Sequence, residues 1–186
     1  MRSFLIIVVL IICSFSVNAQ IVIESEEGFS PQIGVIVCML NDISSRVEST
    51  VKNLNTEDID FLLDENANSI GTLIMHLAAT EKVFQVYTFE NRKFNKEEEA
   101  EWRTGLSMGK EAQEKYKEND IQHYLNIYKK VRERTLEYLK NRDDNWLAKV
   151  PEGYRINNHW SWFHVMEHQS SHLGQILLIK KRIPNE

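Results

Sequence analysis

The feature that most constrains the fold is a set of four long segments whose apolar residues recur at helical spacing. Side chains three or four residues apart line one face of a helix, so each segment predicts a helix with a face to bury. The segments cover about 31 to 54, 69 to 89, 121 to 139 and 157 to 182. Only 7 Gly and 3 Pro residues interrupt 186 positions. We therefore predict an all-α, up-down four-helix bundle over residues 31–183.

The segment from 91 to 119 is dominated by charged residues and contains Gly105 and Gly109. We interpret it as a long surface connection with some local helix. Trp102 and Tyr116 in this connection, and Tyr154 in the next, are candidates for the mouth of a site. We interpret each of the three first as an ordinary packing residue.

The first nineteen residues have the layout of a secretory signal peptide. A short basic start at Met1–Ser3 precedes the apolar run Phe4–Ile12, and small residues lead to Ala19. The alternative, an uncleaved membrane anchor, would need about 20 apolar residues. We therefore expect cleavage before Gln20, export to the periplasm or medium, no membrane attachment after processing, and an N-terminal extension over 20–30.

The net charge of the chain limits the kinds of partner that it can attract. The chain has 22 Lys and Arg against 27 Asp and Glu, a formal net charge of -5. An acidic protein lacks the electrostatic field that attracts nucleic acid. We therefore predict a small-molecule substrate and no nucleic-acid partner.

The chemistry concentrates in the fourth helical segment, where His164, His168 and His172 follow one another at intervals of four. Successive members turn by about 40° around a helix, so all three imidazoles project from one side. Two histidines at this spacing can bind one divalent ion, because neutral imidazole is a good ligand for Zn, Ni, Fe or Cu. Histidines satisfied by core hydrogen bonds are an equal alternative. The same sector also carries a set of residues that is polar in the middle and apolar at the ends, which suits a buried site: Trp160, Glu167, Ser171, Gln175 and Ile179.

The opposite side of the same segment is apolar. It carries Trp162, Met166, Leu173 and Leu177, which would serve either as core or as the surface of a homodimer. We favour core, because an amphipathic helix in a bundle buries its apolar face.

His76 lies on the apolar stripe of the second segment. A lone histidine there is usually a core residue, but bundles build metal sites from ligands on facing helices. Three neutral histidines would leave coordination positions for water and substrate, as in catalytic sites. Zinc-protease chemistry is disfavoured, because the stretch from His168 to His172 has Gln169 where the HExxH motif needs glutamate.

Two stretches carry a family resemblance: NSIGTLIMHLA at 68–78 and HVMEHQSSHLGQI at 164–176. They are similar to the SIGxLxxHL and HVxEHxxxHxGQI patterns of the DinB/YfiT-like superfamily of metalloproteins. The resemblance implies a DinB-like bundle with a divalent metal (Zn, Ni or Fe) held by His76, His168 and His172. His164 and Glu167 would then be supporting residues, by orienting a ligand or accepting an imidazole hydrogen bond.

The resemblance also implies an activity, since characterised relatives include mycothiol-dependent maleylpyruvate isomerase and bacillithiol S-transferases. It predicts a metal-dependent enzyme acting on small molecules, either a thiol S-transferase using a low-molecular-weight thiol or a hydrolase. The competing hypothesis is a non-catalytic exported protein that binds metal or a ligand in stress defence. The sequence leaves both open.

Overall fold

The protein was analysed as a computed structural model, which describes residues 22–184. The predicted signal peptide, 1–19, lies outside the described residues. Eight helices follow an extended stretch at 22–26 and a turn: α1 Pro31–Val51, α2 Thr56–Asp60, α3 Ile70–Glu90, α4 Lys96–Ser107, α5 Gly109–Lys115, α6 Ile121–Leu139, α7 Asp144–Ala148 and α8 Asn158–Lys180. Among these helices, none is both long and apolar enough to cross a membrane.

The four long helices, α1, α3, α6 and α8, form the bundle. Helix α3 packs against α6 and α8, and α1 also packs against α6 and α8, so α1 and α3 lie across the bundle from each other. The prediction of an all-α four-helix bundle is confirmed. Its interior is largely apolar, with Leu73, Leu77 and Ile176 almost fully buried. Burial of each such side chain contributes about 1.5–3 kcal/mol.

Side-chain caps explain where three of the long helices begin. Ser69 Oγ accepts a hydrogen bond from the Thr72 amide at 3.1 Å, Asp120 Oδ1 from the His123 amide at 2.8 Å, and Asn157 Oδ1 from the Trp160 amide at 2.8 Å. Each cap satisfies an amide that has no partner within its helix, worth about 1 kcal/mol. Polar residues before the apolar stripes thus set the start of α3, α6 and α8.

The interpretation of 91–119 as a surface connection is wrong for the apolar face of α4, which is buried. Helix α4 packs along α3, and Trp102 and Tyr116 are buried in the core between them. The reason is that α4 carries a narrow apolar stripe, Trp102 and Leu106, on an otherwise charged helix. That stripe covers the side of α3 that the other long helices leave open.

The apolar side of α8 is core for the most part. Trp162 and Leu173 are 0% and 3% exposed, and Met166 is half-buried. Leu177 instead is 45% exposed, so it does not share in that packing. A dimer surface built on Trp162 and Leu173 is therefore excluded by their burial within one chain.

Candidate metal centre

Three histidines from two helices meet at one side of the bundle. His168 Nε2 lies 3.1 Å from His76 Nε2 and 3.1 Å from His172 Nε2. One nitrogen of each residue lies within 4.8 Å of the other two. His76 comes from α3, whereas His168 and His172 lie one turn apart on α8. Side chains that are 92 residues apart in sequence thus converge on a single point.

The backbone of α4 fixes the orientation of His76. Its Nδ1 lies 2.9 Å from the carbonyl oxygen of Gly105, which can only accept a hydrogen bond. Nδ1 therefore carries the hydrogen, and Nε2 presents its lone pair to the cluster. Gly105 allows the close approach: a Cβ added there would lie 3.2 Å from the Ala79 Cβ and 3.3 Å from the Met75 oxygen.

A side chain performs the same task for His172. Its Nδ1 lies 3.0 Å from Gln175 Oε1, which leaves Nε2 as the lone-pair atom. His168 differs, because its Nδ1 is buried and finds no hydrogen-bond partner among residues 22–184. Two of the three imidazoles are thus held with their lone pairs facing inward.

This arrangement fits a divalent ion better than a hydrogen-bonded cluster. His168 Nε2 holds at most one hydrogen, so it can donate to only one of its two neighbours, and the remaining lone pairs repel. At metal–nitrogen distances of about 2.0–2.1 Å, two tetrahedral ligands are about 3.3 Å apart. Two of the three nitrogen pairs, His168 with His76 and His168 with His172, are 3.1 Å apart, which is close to that value.

Burial keeps His76 and His168 neutral, which is the form that can bind a metal. Desolvation, reinforced by the neighbouring His172, His76 and His164, lowers the pKa of His168 to about 3. Desolvation also lowers the pKa of His76, against the hydrogen bond to Gly105. Protons therefore compete weakly for these nitrogens at neutral pH.

His164, the remaining histidine of the four-residue series on α8, lies outside the cluster. His164 pairs through Nδ1 with Glu167 Oε2 at 3.2 Å and stacks on Trp160 at 4.8 Å between ring centroids. Its ring centroid is 5.7 Å from that of His168. Glu167 bonds to His164 and contacts none of the three clustered histidines by a hydrogen bond. Both residues thus border the cluster without joining it.

The histidine face is less buried than its composition suggests. His76 and His172 are 8% exposed and His168 is half-buried, but Glu167, Ser171 and Gln175 are exposed. The face lies at the edge of the bundle, because no long helix covers this side of α8. The cluster is therefore buried on the α3 side and accessible from the α8 side.

The three candidate mouth residues separate into two groups. Trp102 and Tyr116 are core residues, at 7% and 6% exposure. Tyr154 is half-buried, packs on Tyr87 with ring centroids 3.8 Å apart, and lines a cavity of about 430 Å³. Trp102 also lines a second cavity, of about 310 Å³, so Trp102 and Tyr154 both border open space.

A second polar cluster, which we call the Glu81 network, was missed from the sequence. Arg132 on α6 donates to both carboxylate oxygens of Glu81 on α3, at 2.8 and 2.7 Å, and to the carbonyl oxygen of Leu40. Gln169 on α8 donates to Glu81 at 2.8 Å and accepts from Tyr128 at 2.7 Å. Glu81 is fully buried, yet Arg132 holds its pKa below the usual value against the opposing effect of desolvation. The network ties all four long helices together.

Sequence signals for the missed residues were weak. A glycine within the charged run of α4 indicates a close backbone contact but not its partner. Glu81 and Arg132 are oppositely charged residues within apolar stripes, 51 positions apart. Charged residues are rarely buried without a partner, so such a pair is a candidate for mutual burial.

Comparisons with known proteins agree with this architecture. A family model described as mycothiol-S-transferase matches residues 35–184. The fold is similar to a crystal structure described as a DinB-like protein from Bacillus cereus ATCC 10987, with a TM-score of 0.62, 15% identity and coverage of 82% of this chain and 95% of that one. It is also similar to a conserved protein from Enterococcus faecalis, with a TM-score of 0.62, 13% identity and coverage of 79% and 94%. No curated protein matches the chain.

At these identities the two structures show a shared fold alone, whereas the family model spans most of the chain. Its match begins inside α1 and runs past the end of α8, so all three clustered histidines lie within it. The chain therefore belongs to the mycothiol-S-transferase family of DinB-like proteins.

Proposed function

We propose that the protein is a metal-dependent enzyme that attaches a small thiol, through its sulfur, to an electrophilic substrate. The observation that carries this proposal is the convergence of three imidazole nitrogens, two of them oriented by Gly105 and Gln175, at a point accessible from the α8 side. Family membership supports a thiol of the mycothiol type as the sulfur donor. His76, His168 and His172 would hold the ion, with Zn, Ni and Fe all compatible with nitrogen ligands.

A divalent ion bound there would lower the pKa of a thiol, making the nucleophile available at neutral pH. In the reaction the thiol loses its proton, the sulfur forms a bond to an electrophilic carbon, and the leaving group departs with the bonding electron pair. The apolar wall of α3 excludes water on one side of the histidines. A low local dielectric strengthens the interaction between a cation and a thiolate.

His164 and Glu167 would support this reaction. Glu167 accepts the Nδ1 hydrogen of His164, so His164 Nε2 offers a lone pair beside the cluster. His164 is half-buried and a carboxylate orients it, which suits a group that receives a thiol proton. We assign the pair this supporting role and no place among the ligands.

Elemental analysis by plasma mass spectrometry tests the proposal first. The protein would be purified without chelator or histidine tag, beside His76→Ala, His168→Ala and His164→Ala variants. We expect about one divalent ion per chain in the parent and in His164→Ala, and almost none in the other two. His164→Ala serves as the matched control, because it removes a neighbouring imidazole from the same face of α8.

A turnover assay then distinguishes an enzyme from a non-catalytic binding protein. The metal-loaded protein would be assayed for loss of free thiol with mycothiol or bacillithiol and an alkyl halide. Turnover that disappears in His168→Ala supports the transferase. An ion without turnover of these thiols or of simple esters would favour the non-catalytic binding protein, and absence of metal after reconstitution would refute the enzyme.

Export is a separate proposal, supported by the N-terminal sequence alone. Expression of the full chain in a bacterial host, followed by fractionation and N-terminal sequencing, tests it directly. Recovery outside the cytosol with Gln20 as the first residue is the expected result. Retention of Met1 in the cytosolic fraction would contradict it.

A further inference from the structure

A cavity of about 430 Å³ lies beside the histidine cluster, between α3, α4 and the loop that precedes α8. This volume is within the range of small-molecule pockets, roughly 300–1,000 Å³. Its walls are largely apolar and four of them are aromatic rings. The main contributors are Phe84, Tyr87, Phe94, Leu106, Tyr154 and Ile156.

The aromatic walls are held in place. Tyr87 stands against Tyr154 at 3.8 Å and against Phe84 at 6.0 Å between ring centroids, the latter pair edge to face. The Tyr87 hydroxyl donates to the carbonyl oxygen of Ile156 at 3.3 Å. Five of the six main wall residues are nevertheless half-buried, which leaves apolar surface facing the cavity. A concave aromatic surface of this kind favours a flat apolar group.

Two of the three cationic side chains that line the cavity, Arg92 and Arg103, are neutralised within the protein, and the third, Lys93, is exposed, where an ion pair contributes little. Arg92 binds Glu98 through two contacts, at 2.6 and 3.0 Å, and also pairs with Glu90. Arg103 pairs with Glu99 at 2.6 Å. These guanidinium groups already have carboxylate partners, so an incoming anion would have to compete for them. The rim therefore favours a neutral ligand over an acidic one.

The cavity borders residues next to the candidate metal centre, and none of the three clustered histidines is among its walls. Leu106, one of its walls, directly follows the Gly105 carbonyl that orients His76. Phe84, another wall, packs on His164 with ring centroids 5.8 Å apart. His76, Phe84 and Tyr87 lie on one face of α3, at spacings of eight and eleven residues. Leu106 and Phe84 thus place one end of the cavity on the side of the histidines.

We propose that this cavity binds a neutral aromatic ring of the electrophilic substrate and so directs its reactive carbon toward the three histidines. This inference rests on the proposed function for the reaction, but ring binding itself needs no metal. The substrate class is then an aryl compound that carries a leaving group on a side chain of the ring. The thiol would approach the metal from the exposed α8 side.

The test uses the full chain loaded with zinc and a neutral probe, 4-fluorobenzyl alcohol, titrated by fluorine NMR. Leu106→Trp fills the cavity, and Tyr154→Ala removes a wall on a loop, where folding is less at risk. We expect Leu106→Trp to weaken probe binding by at least about tenfold and Tyr154→Ala by a smaller factor. Leu178→Trp, at a position 50% exposed on α8 and outside the cavity walls, is the matched control and keeps parental affinity.

Further measurements distinguish a failure of this inference from a failure of the proposed function. His168→Ala should lose zinc and still bind the probe within about twofold of the parent. Failure of the metal-loaded parent to bind the probe, or equal binding in Leu106→Trp, overturns the inference even if zinc is present. Tighter binding of 4-fluorobenzoate than of the alcohol overturns the neutral class. Probe binding in a protein that holds no zinc would uphold the cavity and refute the metal enzyme.

Discussion

Two polar clusters lie close together between α3 and α8, and they are built in opposite ways. In the Glu81 network both carboxylate oxygens, the guanidinium and the Gln169 amide have partners within the protein. In the histidine cluster three ring nitrogens face one another, and only two of the opposite nitrogens are hydrogen-bonded. His168 and Gln169 are adjacent in sequence, yet each belongs to a different cluster.

The difference shows how buried polar groups divide between structure and ligand binding. A buried polar group without a partner costs free energy, so a network with every atom satisfied needs nothing from outside. Where lone pairs converge without enough hydrogens between them, they repel one another, and a bound cation removes that repulsion. The Glu81 network therefore holds the helices, and the histidine cluster is free to bind an ion.

The largest expected effect comes from breaking the Glu81 network. Arg132→Met leaves Glu81 buried without its counter-charge, and we expect a loss of about 3–5 kcal/mol of unfolding free energy. Urea denaturation measures this loss. Arg134→Met, on the same helix in the exposed pair with Glu137, should leave the midpoint almost unchanged. Equal midpoints for the two variants would show that the buried pair does not stabilise the bundle.

Loss of a clustered histidine should instead leave the stability of the metal-free protein nearly unchanged and abolish stabilisation by zinc. In His168→Ala the metal-free protein should keep most of its stability, because the half-buried His168 ring can donate a hydrogen bond to only one of its two neighbours. Zinc at about one hundred times its Kd should stabilise the parent by about 2.7 kcal/mol and the variant by almost nothing. Thermal melts with and without zinc measure both. A zinc shift that survives in His168→Ala would exclude His168 as a ligand.

A smaller effect is expected from Gln175, which orients His172 without joining the cluster. Gln175→Ala should weaken zinc binding by roughly 10- to 100-fold, with the stoichiometry unchanged. Competition with a chromophoric chelator measures the affinity. Ser171→Ala, at an exposed position one turn away on α8, is the control, and a similar loss there would contradict an orienting role.

The smallest expected effect is a pH dependence of the metal-free protein. The pKa of His168 falls from 6.5 to about 3, so the unfolded chain takes up a proton as pH drops below 6.5 while the folded protein does not. Stability should therefore fall from pH 6.5 downward. Since His168 is only half-buried, solvent screens the effect, and the slope stays below about 1.4 kcal/mol per pH unit, the limit for the uptake of one proton.

The two clusters can be separated by pH. Glu81, whose pKa lies below its usual 4.5, contributes stability that is present above that value and is lost as pH falls through its lower folded pKa. Only the histidine cluster should therefore act between pH 6.5 and 4.5. Urea denaturation of the parent and of His168→Gln across this window tests the assignment. Identical slopes would show that His168 does not titrate as the structure indicates.

Some of the site was open to prediction because its determinants are local. The four-residue spacing of His164, His168 and His172 places them on one face wherever that helix packs. The resemblance then singled out His76, His168 and His172, and the structure brings these three together. The role of α4 was not predictable in this way, since a short apolar stripe among charges gives a weak periodic signal. Gly105, which orients His76, was missed for that reason.

By itself, the sequence determined the four long helices and the family, because periodicity and motifs act over short stretches of chain. Only the tertiary structure decided that His164 stays outside the cluster, that Gly105 and Gln175 orient its members, and that Arg132 neutralises Glu81. These outcomes depend on how α3, α4, α6 and α8 rotate and slide against one another. That geometry is the result of packing the whole core, and no single segment encodes it.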